Sequence, residues 1–202
     1  MTAILKVDTI QDTSGNNIIN ESSDTITIGA SGDTTNIVGT LQNNGAAVGG
    51  LNMVDVWRLT ADLVNTNGVI TSNLEQPDTY GATTIGSAMT VSSGIFTFPA
   101  TGKYMIICQA MIASGGGSGD SVLLQTQTTT DNSSYNLAAA VRTDVPDGLG
   151  DTGSSFFLFD VTSTSTHKVR FEATGMSDGS SSIKGDTSYN ATCFIFQKLG
   201  DT

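Results

Sequence analysis

The stretch Gly94–Ile112, GIFTFPATGKYMIICQAMI, constrains the fold more than any other part of this 202-residue chain. It is a dense aromatic and aliphatic block, broken only by Pro99 and Gly102. Proline fixes φ, and glycine accepts backbone conformations closed to other residues, so the pair marks a corner between two strands. Ile95, Phe96 and Phe98 end the first strand. After the corner, Tyr104, Ile106, Cys108, Ala110 and Ile112 alternate with Met105, Ile107, Gln109 and Met111. Successive side chains of a strand point to opposite faces, so this strand is apolar on both. Such a strand is buried on both faces. One face meets an opposing sheet; the other meets something else, most simply a second copy of the chain.

The rest of the sequence supports an all-β reading. Charged residues make up 13%, against roughly 25% in an ordinary domain. Polarity comes from Ser, Thr, Asn and Gly, the palette of short strands and tight turns. No long 3.6-period apolar stripe is present. Expected strands are Met53–Thr60, Met89–Phe98, Lys103–Ala113, Ser121–Thr130, Tyr135–Arg142, Ser155–Val161, Lys168–Ala173 and Ala191–Leu199. Their spacing predicts a β-sandwich, most simply a jelly roll, over residues 52–202. Leu63–Ser87 is the least legible stretch and is expected to hold a small extra hairpin.

Residues 1–51 read as a separate N-terminal arm and β-rich stalk, ending in the hinge-like Gly45-Ala-Ala-Val-Gly-Gly-Leu51. They contain no aromatic residue. DTITIG at 24–29 and DTTNIVG at 33–39 look like two copies of one strand unit. Each offers two or three apolar side chains, too few to offset about 1–2 kcal/mol of backbone entropy per ordered residue. An intertwined trimeric stalk, with Ile18, Ile26, Ile28, Ile37 and Val38 around a shared axis, is the expected solution. The opening, MTAILKVDTIQDTSG, lacks the apolar core of a secretion signal, so synthesis in a cytoplasm is expected. The formal charge of −11 argues against nucleic acid and anionic membranes as partners. No run is long enough to insert in a membrane.

The corner Phe96-Thr-Phe98-Pro99-Ala-Thr-Gly102-Lys-Tyr104 resembles the central signature of C1q/TNF-like trimeric heads. Ser155-Phe-Phe-Leu-Phe159, Lys168-Val-Arg-Phe171 and Ala191-Thr-Cys-Phe-Ile-Phe-Gln-Lys-Leu199 resemble later strands of the same family. The resemblance covers roughly residues 52–199. It implies a ten-stranded jelly roll, a tight homotrimer and ligand recognition by surface loops. No Gly-X-Y collagen stalk precedes it, as it often does in animal heads of this family. AILKVDTIQDTSG instead resembles the N-termini of structural proteins of marine tailed phages. Together these imply a virion fibre or spike, an exposed appendage. Residues 1–50 would join another virion protein, and the head would bind a host surface glycan or protein. The alternative is a capsid-decorating or head-fibre protein without dedicated receptor binding.

Nothing in the sequence assembles a catalytic constellation, and the chain is not expected to be an enzyme. His167, the single histidine, is read as a satisfied surface residue. Cys108 and Cys193 are read as buried hydrophobes, with a disulfide between them left open. Trp57, Phe96, Phe98, Gly102, Tyr104, Phe171, Phe194 and Phe196 are assigned to the core or the trimer contact. Strand alternation places the loops Ser114–Asp120, Asp144–Gly153 and Met176–Ser188 at the tip, away from the stalk. Those at Pro99–Thr101, Asp131–Ser134 and Thr162–Thr166 then face the base. Receptor-contact candidates are Asp120, Asp144, Asp147, Asp151, Asp178, Lys184, Asp186 and Tyr189, with Tyr80 and Tyr135 as further exposed aromatics. No cofactor is expected. Calcium held by the tip carboxylates is one reading of their number, although no spacing specifies a metal site.

Overall fold

The computed structural model describes residues 9–11, 13–15, 17–22, 25–29, 32–38, 41–43, 46–47, 51–113, 121–144, 149–177 and 181–202. The chain divides into two units, Met1–Gly50 and Leu51–Thr202. In the first, β1 (Thr9–Gln11), β2 (Asn17–Ser22) and β3 (Thr25–Ile28) form an antiparallel meander. β4 (Gln42–Asn43) pairs with β5 (Ala46–Ala47). Ile10, Ile19 and Ile28 lie opposite one another across the meander, and all three are exposed within the unit. The second DTTNIVG copy is not a strand over residues 33–37. A β-branched run becomes a strand only where a neighbour supplies ladder hydrogen bonds, and no described strand lies beside it. The side chain of Ile18 and the residues Gly39 and Thr40 lie outside the description.

The second unit is built from β6 (Val54–Leu59), β7 (Leu63–Val64), β8 (Gly68–Val69), β9 (Leu74–Glu75), β10 (Thr90–Ser92) and β11 (Ile95–Thr97), followed by β12 (Gly102–Ala113), β13 (Ser121–Thr129), β14 (Asn136–Asp144), β15 (Gly150–Val161), β16 (Lys168–Thr174), β17 (Ser182–Ile183) and β18 (Cys193–Gly200). One antiparallel sheet runs β10-β11-β16-β13-β14, with β8 on β16. In the other, β12 lies between β15 and β18, and β6 and β9 continue beyond β18. Short β17 pairs with the far end of β12 and carries β7. The chain therefore crosses repeatedly between the sheets, as a jelly roll does.

Alternation along β12 explains where the core sits. Tyr104, Ile106, Cys108, Ala110 and Ile112 are all buried between the sheets. They meet Phe194 and Phe196 from β18, and Val169, Phe171 and Ala173 from β16. Phe96 stands edge-on to Trp57 and Phe171, with ring centres 5.5 and 5.7 Å away. Phe171 stacks on Phe194 at 3.8 Å, and Phe98 packs on Tyr104 at 4.6 Å. The aromatic residues assigned to core or contact thus fill the space between the two sheets. At the corner, Gly102 has φ +146°, and a Cβ there would collide with the Gly200 carbonyl and the Lys198 side chain. The Tyr104 hydroxyl donates to the Ala100 carbonyl at 2.9 Å and closes the corner.

Three expectations need correction. Met89–Phe98 is a hairpin, not one strand: Ser93 and Gly94 take φ +48° and +78°, the two left-handed positions of a type I′ turn. Leu63–Ser87 forms no hairpin of its own, because β7, β8 and β9 pair with β17, β16 and β6. Within Asp144–Gly153, the described residues 144 and 150–153 are strand, not loop: Asp144 closes β14 opposite Ser121, and Asp151 sits in β15 opposite Ile112. The long β12 offers ladder partners to all of β15, and Gly153 leaves room for Val141, whose Cγ1 lies 2.6 Å from where a Cβ would be.

Candidate functional site

The second face of β12 is only half-buried, and among the described residues no second sheet packs over it. Strand register aligns Val56, Ile195, Ile107 and Phe156 in one row across β6, β18, β12 and β15. The next row toward the base holds Val54, Gln197, Met105 and Leu158. Phe156 is 73% exposed and Leu158 55%. The outer face of the opposite sheet is different in kind. There Arg170 donates to Gln127 at 2.8 Å, lies 4.1 Å over the Tyr135 ring and pairs with Glu172 at 3.6 Å. Gln127 donates to Gln125, and Gln125 to Thr174. One outer face thus carries a polar network, and the other is an apolar patch of the type that marks an interaction surface.

The strand directions put the ends of β12 and β14 and the starts of β13 and β15 together at one end of the second unit, the end expected from the sequence to be the tip. Of the tip candidates, Asp120, Asp147 and Asp178 lie outside the described residues, as does the side chain of Asp144. Asp151 accepts the Thr152 N–H at 2.8 Å. Lys184 is bound to Asp62 at 2.6 Å, and Asp62 also accepts the Gly185 N–H at 2.9 Å. Partial burial pushes the Asp62 carboxyl up, but these bonds and the Lys184 charge outweigh it and leave it below the usual range. Asp186 accepts the Ser188 N–H at 2.6 Å and so bends its own loop. Tyr189 is 54% exposed. These residues are engaged in separate local turns and pairs, not drawn together. Among the described residues, no group of three or more His, Cys, Asp or Glu side chains is placed to hold a metal ion. At the base, Asp131 accepts the N–H groups of Ser134 and Ser133 and the Thr129 hydroxyl, which holds its carboxyl far below the usual range.

Two buried charges on β6 escaped the sequence reading. Asp55 is fully buried and faces the core beside Trp57 and Leu59. Its carboxylate accepts four hydrogen bonds: Trp57 Nε1 at 2.8 Å, Met89 N at 2.8 Å, Gln76 Nε2 at 2.6 Å and Thr84 Oγ1 at 3.2 Å. Arg58, on the other face and 1% exposed, donates to Glu75 at 2.8 Å, Thr79 at 3.0 Å and Asp78 at 3.0 Å. Together they pin the irregular segment 75–89 onto the sheet. The usable signal was parity: if Trp57 faces the core, so does Asp55, two residues earlier.

His167 is not a surface residue. It is buried, stacked 5.6 Å from the Phe159 ring, with its two ring nitrogens 3.2 and 3.1 Å from the Thr162 and Thr166 hydroxyls. It lies just before β16, and the threonines satisfy its nitrogens out of water. Cys108 and Cys193 are both free thiols. They sit on adjacent strands but belong to opposite faces, since Cys193 lies opposite Gln109 and Cys108 opposite Phe194.

Strand order, corner and aromatic core define the head as a TNF/C1q-like jelly roll. Among solved structures, the chain is similar to murine APRIL. The crystal structure at pH 5.0 aligns at 11% identity and TM-score 0.53, and that at pH 8.5 at 10% and 0.50. Each alignment covers 73% of this chain and 98% of the other. No protein-family profile and no curated protein matches the sequence.

Proposed function

We propose that the chain is a homotrimeric fibre or spike protein of a phage virion, fixed to the particle by its N-terminal arm and binding the host surface through its head. It is a binding and assembly module, not an enzyme. The observation that carries the assembly is the apolar outer face of the β15-β12-β18-β6 sheet. An exposed Phe156 and Leu158 beside half-buried Met105, Ile107 and Ile195 are costly to leave in water and inexpensive to cover with another copy. The TNF/C1q-like fold makes a closed trimer the copy number of choice. The exposed Ile10, Ile19 and Ile28 row gives the arm the same need for partners. The likeness of the first residues to phage structural proteins supports the virion, and the charge of −11 suits a dispersed, exposed particle.

Two measurements test the proposal. Light scattering on the full chain should give about three times the protomer mass of 20.8 kDa; a protomer mass at micromolar concentration overturns the assembly. Antibody against residues 52–202, imaged on intact virions, should decorate host-facing appendages and block adsorption. Decoration confined to the capsid, with adsorption intact, overturns the attachment role in favour of a decorating protein.

A further inference from the structure

The segment after β9 holds an aromatic residue in a place that suits function better than folding. Gln76 and Thr84 are tied to Asp55, Asp78 and Thr79 to Arg58, and Thr79 Oγ1 also donates to the Ser188 carbonyl at 3.1 Å. On that base Thr79–Ala82 makes a tight turn, closed by Ala82 N–H donating to the Thr79 carbonyl at 3.1 Å. Tyr80 and Gly81 have φ +55° and +78°. A turn with both central residues at positive φ prefers Asn-Gly, and a bulky residue at its first position is an outlier. Such outliers concentrate at ligand sites. The turn raises Tyr80 until it is 92% exposed.

Tyr80 and Tyr189 border one cleft of about 370 Å³, walled by Pro77, Ala82 and Asn190 with Arg58 as a buried lining residue. A hollow of about 160 Å³ shares Pro77, Ala82 and Asn190 and extends the cleft along the segment. The larger volume is within the roughly 300–1,000 Å³ of small-ligand sites. Tyrosine offers a rigid apolar face with a polar tip, and Asn190 in the lining supplies an amide. That combination matches a ring with an apolar C–H face and a rim of hydroxyls. The Arg58 charge is already taken by Glu75 and Asp78, and Asp78 stands at the surface, so an anionic ligand finds no free cation here.

We infer that this cleft is a saccharide subsite for an uncharged sugar, with Tyr80 and Tyr189 as its stacking platforms. The inference rests on reading the head as a binding module. The test is saturation-transfer NMR on the full-length protein with the methyl glycosides of glucose, galactose, mannose, N-acetylglucosamine and sialic acid, repeated on Tyr80→Asn, Tyr189→Ala and the double variant. Asparagine preserves the turn and removes the ring. At least one neutral glycoside should bind, sialoside should not, and the double variant should weaken binding about tenfold or more. In solution the inference is overturned if no neutral glycoside binds, if the double variant binds equally, or if either variant changes the native mass, which would place the tyrosines between copies. Adsorption of the same proteins to host cells separates the two readings. Equal adsorption of wild type and double variant removes the cleft and leaves attachment standing. Sugar binding without any adsorption does the reverse. Adsorption lost after protease but not periodate treatment of the cells points to a protein ligand and also overturns the saccharide.

Discussion

Replacing Asp55 by Asn tests whether one buried carboxylate holds the 75–89 segment to the sandwich. The carboxylate uses both oxygens: Oδ1 takes Gln76 and Thr84, Oδ2 takes Trp57 and Met89. Asparagine keeps one acceptor oxygen, which goes to the obligate donors Trp57 and Met89, and turns the other into a donor. The Thr84 hydroxyl can turn to accept from it, but the Gln76 amide must flip or lose its bond, and every remaining bond loses its charge. A hydrogen bond to a charged group contributes about 1.5–3 kcal/mol, so the expected loss is about 1.5–3 kcal/mol. That is a sizeable part of the stability of an ordinary domain, about 5–15 kcal/mol. The assay is urea unfolding at fixed protein concentration, followed by the fluorescence of Trp57, the single tryptophan and a direct partner of Asp55. Hydrogen exchange at the Met89 amide should accelerate in the same variant, because its acceptor is weakened. Asp160→Asn, at an exposed strand position, is the control and should stay within about 0.5 kcal/mol of wild type. A loss below about 1 kcal/mol for Asp55→Asn would refute the reasoning, since it would mean that water replaces the lost bonds at no cost.

Phe156→Glu should leave the fold intact, because the side chain is mostly exposed in the unit, and should shift the native mass toward the protomer; circular dichroism and light scattering read the two effects. Asp131 gives a pH signature. Its folded carboxyl lies below its unfolded value of about 3.9, so its contribution is present above that value and lost as pH falls through the folded one. The difference in Tm between wild type and Asp131→Asn should therefore be largest near neutrality and shrink in acid; a gap that widens in acid contradicts the assignment. The cysteines should be inert: burial pushes the Cys108 thiol up, with Cys193 adding to it, and pushes Cys193 up to about 11. Native protein should resist thiol reagents at pH 7 and keep its Tm in reductant, whereas a rapid stoichiometric reaction would show that one of them is accessible.

The corner and the double-faced strand were legible because their signals are local. Pro99 and Gly102 mark the bend, and period-two alternation over residues 104–112 assigns both faces of β12. The start of β15 was hidden because Gly150-Asp-Thr-Gly153 has turn composition; only pairing with β12, about 40 residues earlier, makes it strand. Ser93-Gly94 was hidden for the opposite reason: the flanking β-branched and aromatic residues read straight through a two-residue turn. Nothing local sets Asp55 and Arg58 apart from ordinary solvent-facing charges on a strand. Their partners lie at Glu75–Asp78, Thr84 and Met89, in the segment with the weakest periodicity, so no local pattern announced them. Among the tip carboxylates, Asp186 and Asp151 serve their own turns and neighbours, a role that composition alone does not distinguish from a shared contact surface.

The two outer faces together explain why so little charge suffices. On the β16–β13 face, Arg170, Glu172, Gln125 and Gln127 satisfy one another and keep that side wet. On the β12 face, Lys103 borders the base and Gln109 interrupts the centre, while Met105, Ile107 and Met111 stay apolar. Had the chain been selected to remain a protomer, the residues at Phe156 and Leu158 would carry the mutational freedom of any exposed strand, and Ser or Thr would serve the ladder equally well. An aromatic and an aliphatic residue there, in register with Ile107 and Met105, add nothing to the inner core. In the proposed assembly, contact with another copy accounts for their placement, which makes the face of β12 the feature on which that reading stands or falls.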